Sequence, residues 1–171
     1  KYKDTGEGHM TYNSSIETFY DAISEIVSRG GWVIRIGDKS TKSLKKMPQV
    51  IDYAKSKYKS DWMDIFLGSQ CRFMIGTSSG VYIIPIMFGV PFVLTNVLPI
   101  MSLYTGSNKD LLIPRVCMSL KEERHLSFQE LMSPPVSTMV SSLTYQKHGI
   151  GIIENTPEEI NQVVLEMMER L

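Results

Sequence analysis

Cysteine is scarce in this chain, histidine nearly so, and neither sign of charge predominates. The two cysteines, Cys71 and Cys117, fall in stretches that read as buried strands, which points to free thiols and a reducing compartment rather than a disulfide framework. His9, His125 and His148 are scattered, and neither cysteine has a partner at zinc spacing, so no metal site is expected. Basic and acidic residues balance at 18 each, which removes the electrostatic footprint of a nucleic-acid binder. No apolar run approaches the ~20 residues of a membrane span, and no signal-peptide pattern is seen, so the expected location is cytoplasmic. A Gly-x-Ser-x-Gly elbow and a Gly-Lys-Ser/Thr P-loop are also missing, which sets aside the commonest hydrolase and P-loop chemistries.

With 171 residues the chain is long enough for one domain with its own core. It lacks an initiator Met and its first periodic element is a helix, whereas a doubly wound unit begins with a strand. The expectation is therefore a single domain spanning 1–171 of a longer protein, with an N-terminal partner domain upstream.

What is present is concentrated between Cys71 and Asn96. Residues 71–75 (Cys-Arg-Phe-Met-Ile) and 90–95 (Val-Pro-Phe-Val-Leu-Thr) are short apolar runs, as expected of two buried parallel strands joined by a crossover. Between them, Ser79 to Phe88 reads as a short helix closed by Gly89, with Pro85 as a kink. The turn Gly76-Thr77-Ser78-Ser79-Gly80 has two glycines that let a ligand approach the backbone and three hydroxyls that can donate to it. It also precedes a helix N-terminus, where N–H groups and the dipole favour an anion such as phosphate. An ordinary Ser/Thr N-cap is the competing reading of the same turn and needs only one hydroxyl.

Upstream, Ser14-x-x-Glu17 has the form of a capping box, and Ile16, Phe19, Tyr20, Ile23, Ile26 and Val27 repeat at helical spacing up to Gly30-Gly31. Trp32 to Ile36 then reads as a strand whose carboxyl end carries Arg35, Gly37 and Asp38, the edge where open α/β sheets bind ligands. A charge such as Arg35 in a strand needs a ligand or an ion pair, for which Asp38 and Asp52 are the candidates. The four lysines of residues 39–48 read as a solvated loop. Gln49 to Ala54 is a candidate strand, and a short helix starts at Ser60 or Asp61 and ends at Gly68, with Trp62 as a packing anchor. Residues 97–110 and 133–148 read as irregular, Ser127 to Met132 as a brief helix, and Gly149 to Glu154 as an edge strand. The last helix is clear: Thr156 caps it, Pro157 takes the first position, Glu159 closes the box, and residues 160–171 present one apolar face.

Taken in order, Gly30-Gly-Trp-Val-Ile-Arg-Ile-Gly-Asp38, Ser60-Asp-Trp-Met-Asp64, Cys71-Arg-Phe-Met-Ile-Gly-Thr-Ser-Ser-Gly80 and Phe88-Gly-Val-Pro-x-x-x-Thr-Asn96 resemble a family of bacterial glycosyltransferases associated with surface-polysaccharide loci. More distantly, the turn, helix and Gly-x-Pro resemble the C-terminal, donor-binding half of GT-B glycosyltransferases. The Asp4-Thr5-Gly6-Glu7-Gly8-His9 string resembles a heptosyltransferase loop in composition only, since no strand precedes it. The resemblance implies an α/β, Rossmann-like three-layer domain with a mainly parallel sheet. It implies a metal-independent transferase that takes a sugar from a nucleotide sugar to a glycan or lipid-linked acceptor. On that reading Gly76, Thr77, Ser78, Ser79 and Gly80 hold the diphosphate, Arg35, Gly37 and Asp38 lie near the nucleotide or sugar, and Asn96 completes the pocket. No cofactor beyond the donor substrate is implied, and the general base would belong to the other domain. Two further readings share the scaffold: a GT-B-like nucleotide-sugar epimerase, with Asp38, Glu154 and His9 as candidate acid–base groups, and a non-catalytic Rossmann-like interaction module.

Overall fold

The computed structural model describes residues 14–100 and 106–171. A 3-10 turn over Ile16–Phe19 leads into α1 (Tyr20–Ser28), and the hydroxyl that caps it is Ser15, accepting from Glu17 N at 3.3 Å. The expected capping box on Ser14 is not formed, because the Ser14 Oγ instead accepts from Asn96 Nδ2 at 2.8 Å. α1 ends in a Schellman closure, with Gly31 N donating to Ile26 O and Gly30 N to Val27 O, both at 2.9 Å. Gly30 takes the left-handed φ of +84°, and a Cβ on Gly31 would stand 2.9 Å from Ile26 O, so each glycine is needed.

β1 (Val33–Ile34) pairs parallel with β2 (Val50–Ile51), which runs into a 3-10 turn at Tyr53–Lys55. Ser60 then caps α2 (Asp61–Gln70) by accepting from Met63 N. This helix passes through Gly68 instead of stopping there. Gly68 is buried against the next helix, where a Cβ would meet Ile84 Cγ2 at 2.8 Å, so glycine is what lets the two helices close up. Trp62 is no packing anchor: it is 66% exposed and stacks on Phe66, one turn along the solvent face, at 5.4 Å.

β3 (Met74–Gly76), a 3-10 turn (Gly80–Tyr82), α3 (Ile83–Phe88) and β4 (Phe92–Val97) realise the expected strand, turn, helix and strand, except that the first strand starts at Met74 and Cys71, expected within it, is the C-cap of α2. Gly89 closes α3 at φ +69°. Pro85 is third in α3, within the first turn, where an N–H has no intrahelical partner to lose. β3 and β4 are parallel, and β4 pairs parallel with β5 (Leu111–Pro114) on its other side. Phe92, Val93, Leu94 and Val97 are each at most 1% exposed. At ~1.5–3 kcal/mol per buried side chain they contribute roughly 6–12 kcal/mol before entropy, which makes β4 the centre of this sheet. Its side chains alternate: Val93 packs with Ala22 and Ile26 of α1 and with Ile160, Val163, Val164 and Met167, while Phe92 and Leu94 pack with Tyr82 and Ile86.

The chain departs from a mainly parallel sheet after β5. β6 (Val116–Ser119) is central to an antiparallel set with β7 (Arg124–His125) and β8 (Ile150–Ile153). β8 has no second strand partner among the described residues, as expected of an edge. A separate apolar cluster of Leu98, Cys117, Met139, Tyr145 and Ile150 sits here. Ser127 caps α4 (Phe128–Leu131) in a complete capping box with Glu130. The stretch 133–148 is more ordered than its prolines and serines indicate, because it includes α5 (Ser142–Lys147), whose Tyr145 is fully buried and donates its hydroxyl proton to Met139 O at 3.1 Å. α6 (Pro157–Arg170) closes the described chain with the Thr156–Glu159 box intact. The fold is mixed α/β with parallel sheets, both cysteines are free, and no described helix is long and apolar enough to cross a membrane.

Candidate functional site

β3 delivers the Gly76–Gly80 turn at its carboxyl end. Thr95, on β4, donates its hydroxyl to Gly76 O at 3.3 Å and so ties the start of the turn to the sheet. Within the turn Ser79 N donates to Thr77 O at 2.7 Å and Tyr82 N to Ser79 O at 3.1 Å. Ser79 occupies the N-cap position in extended conformation, yet its side chain makes no capping bond. Neither Thr77 nor Ser78 supplies one either, so the ordinary N-cap does not account for the three hydroxyls. The Ser78 Oγ is buried and makes no hydrogen bond to any described residue. A buried hydroxyl in that state costs about 1–3 kcal/mol.

The two glycines of the turn behave differently from those that end α1. Neither Gly76 nor Gly80 has a left-handed φ, and a Cβ on either would meet nothing within 4 Å. Backbone conformation and packing thus leave both positions open to any small residue. The space over the backbone is there, and glycine keeps it clear.

Arg35 and Asp38 have partners of their own. Arg35 donates from Nε and Nη2 to Asp52 Oδ1 at 2.8 and 2.5 Å and from Nη1 to Thr41 Oγ1 at 2.5 Å. Asp52 Oδ2 also accepts from Leu44 N at 2.9 Å, so this ion pair pins the lysine-bearing loop over the end of β1. Of the two candidate partners, Asp52 is the one the fold brings to the guanidinium. Asp38 is exposed and its Oδ1 accepts from Ser40 N at 2.7 Å, which holds its carboxyl below the ordinary aspartate value; the charges of Lys59 and Lys55 act in the same direction. Gly37 has φ +140° with open space around it. No hydrogen bond or ion pair joins this segment to the Gly76–Gly80 turn among the described residues.

Asn96 serves the scaffold. It is fully buried at φ +54°, and it and Asn155 clasp each other reciprocally: Asn96 N donates to Asn155 Oδ1 at 2.6 Å and Asn155 N to Asn96 Oδ1 at 2.7 Å. Asn96 Nδ2 is taken by Ser14 and Asn155 Nδ2 by Pro114 O at 2.9 Å. The clasp joins the end of β4 to the residue before the Thr156 cap of α6 and holds Asn96 fully buried. Glu154 sits beside Arg115 at 3.3 Å, and His9 lies outside the described residues.

Sequence reasoning passed over Lys59. Its ammonium is half-buried and donates to Asp64 Oδ2 at 2.6 Å, an interaction that raises its pKa, while Asp64 Oδ1 is buried without a partner. The only signal in the sequence is a Lys and an Asp five residues apart across a helix start. Two shallow clefts, of about 660 Å³ beside β5 and α6 and about 290 Å³ around Arg124 and His148, do not include the Gly76–Gly80 turn. The turn is therefore marked by its unused donors and its open glycines, and it lines neither of these two clefts.

No protein-family model matches the chain, and neither does any curated protein or solved structure.

Proposed function

We propose that this chain is the donor-binding domain of a metal-independent glycosyltransferase, cytoplasmic, which uses a nucleotide sugar to build a surface polysaccharide or related glycan. The carrying observation is the Gly76–Gly80 turn, where none of three consecutive hydroxyls is used by the described residues and two glycines serve neither conformation nor packing. A Rossmann-like three-layer arrangement is the architecture this reading requires. It is supported by β4, whose alternate side chains pack against the α1–α6 cluster and against the Tyr82–Ile86 cluster.

The chemistry follows from the leaving group. As a nucleoside diphosphate departs, negative charge grows on its terminal phosphate, and donors already aimed there stabilise the transition state without reorganising. One such donor is worth about 3 kcal/mol in a comparable oxyanion site. The hydroxyls of Thr77 and Ser79 and the N–H groups of the turn other than that of Ser79 fill that role, and the Ser78 Oγ, buried in the unliganded protein, joins them only when the turn shifts on binding. In a two-domain transferase the cleft lies between the domains, so one wall alone presents no deep pocket; the acceptor and the general base belong to the opposite side.

Thermal unfolding in the presence of a panel of nucleoside diphosphates and nucleotide sugars tests this. A ligand at 100 times its Kd stabilises by about 2.7 kcal/mol, which for a domain of this size raises Tm by roughly 5–11 °C. Gly80→Val fills the open space without straining the backbone and is expected to leave the unliganded Tm within ~2 °C while abolishing the shift. No shift with any nucleotide at millimolar concentration, or an undiminished shift in Gly80→Val, refutes the proposal.

A further inference from the structure

The parallel set ends at β5, and among the described residues no strand pairs with its outer side. In a parallel strand alternate residues turn their N–H and C=O groups away from a given neighbour, so this side carries unpaired backbone groups. Leu111, Leu112 and Ile113 are only half-buried, unlike the fully buried β4 next to them, and they line the cleft of about 660 Å³ that α6 overhangs. Pro114 has no N–H and limits any further pairing to the three residues before it.

The overhanging face of α6 is acidic. Glu158, Glu166 and Glu169 all line the cleft and are exposed. Glu166 is paired with Arg170, whereas Glu158 and Glu169 make no ion pair among the described residues. A second copy pairing through the same edge would bring two such rows of carboxylates together, which disfavours self-association. A strand bearing lysine or arginine meets the opposite situation, with backbone donors and acceptors along β5 and unneutralised carboxylates above it.

We propose that the β5 edge is a docking site for an extended, basic segment of a partner protein, which adds a strand beside Leu111–Ile113 and sets its cations against Glu158 and Glu169. This is independent of what binds at Gly76–Gly80.

The test uses a short capped peptide alternating valine and lysine, with a valine–glutamate peptide and an N-methylated copy of the first as controls. Binding is followed by calorimetry and by amide hydrogen exchange. The valine–lysine peptide is expected to bind more weakly as salt rises, to protect those amides within residues 111–113 that face away from β4, and to lose about fivefold in affinity against Glu158→Gln with Glu169→Gln, the size expected of two exposed ion pairs. The valine–glutamate and N-methylated peptides are expected not to bind. Absence of binding at millimolar peptide, equal binding of the N-methylated copy, protection confined to another element, or self-association through β5 seen in sedimentation would each overturn the proposal.

Discussion

Replacing Ser78 by alanine is expected to make the unliganded protein more stable. The Oγ is buried and without a partner among the described residues, and a polar group in that state is penalised by about 1–3 kcal/mol. Alanine removes that oxygen alone, so the cavity left behind is smaller than a methyl group and little of the gain is lost to packing. We therefore expect Ser78→Ala to gain ~1 kcal/mol, which raises Tm by about 2–4 °C at this chain length. Thr95→Val provides the opposite sign nearby. That hydroxyl is also fully buried but donates to Gly76 O, and valine keeps its shape, so the loss is the bond itself, ~1 kcal/mol. Urea denaturation followed by circular dichroism at constant m measures both. If Ser78→Ala is destabilised by 1 kcal/mol or more, the hydroxyl has a structural partner and the reasoning about the turn fails. If the gain appears together with loss of nucleotide protection, the strain at Ser78 is what a ligand relieves.

Asn155→Ala is expected to cost about 3 kcal/mol in urea denaturation, because it strands the buried Asn96 N–H and Pro114 O at once. Gly68→Ala adds a Cβ 2.8 Å from Ile84 Cγ2; overpacking of about 1–3 kcal/mol outweighs the ~1 kcal/mol helix-propensity gain, and a double-mutant cycle with Ile84→Ala should recover a coupling of ~1–2 kcal/mol. Glu130, hydrogen-bonded first by Arg124 and then by Ser127, is held down to about 2. Its contribution is thus complete above the ordinary glutamate range and lost as pH falls from ~4.3 through the folded value, and Arg124→Ala should move its NMR titration back toward ~4.3.

Legibility followed sequence distance. The strand, turn, helix and strand of residues 74–97 could be read because each signal is local: short apolar runs, a glycine that takes φ +69° at position 89, a hydroxyl-rich turn. The α6 box likewise needs only Thr156 and Glu159. Where a residue type has two uses, the choice was made far along the chain. Ser14 has the spacing of a capping box but is claimed by Asn96, and Gly68 looks like a helix end but is a contact with Ile84. Of the candidate site, the turn keeps its free donors, while Asn96 and Arg35 are engaged by Asn155 and Asp52.

The strand, turn, helix and strand around Gly76–Gly80, the Thr156–Glu159 cap and the concentration of small polar groups in that turn are properties of the sequence alone, since backbone propensity and capping act over three or four residues. Which of those groups stay free is a tertiary matter. Ser78 is left unpaired and Asn96 is not, because β4 carries Asn96 to Asn155, 59 residues away, and no local pattern records a contact of that length.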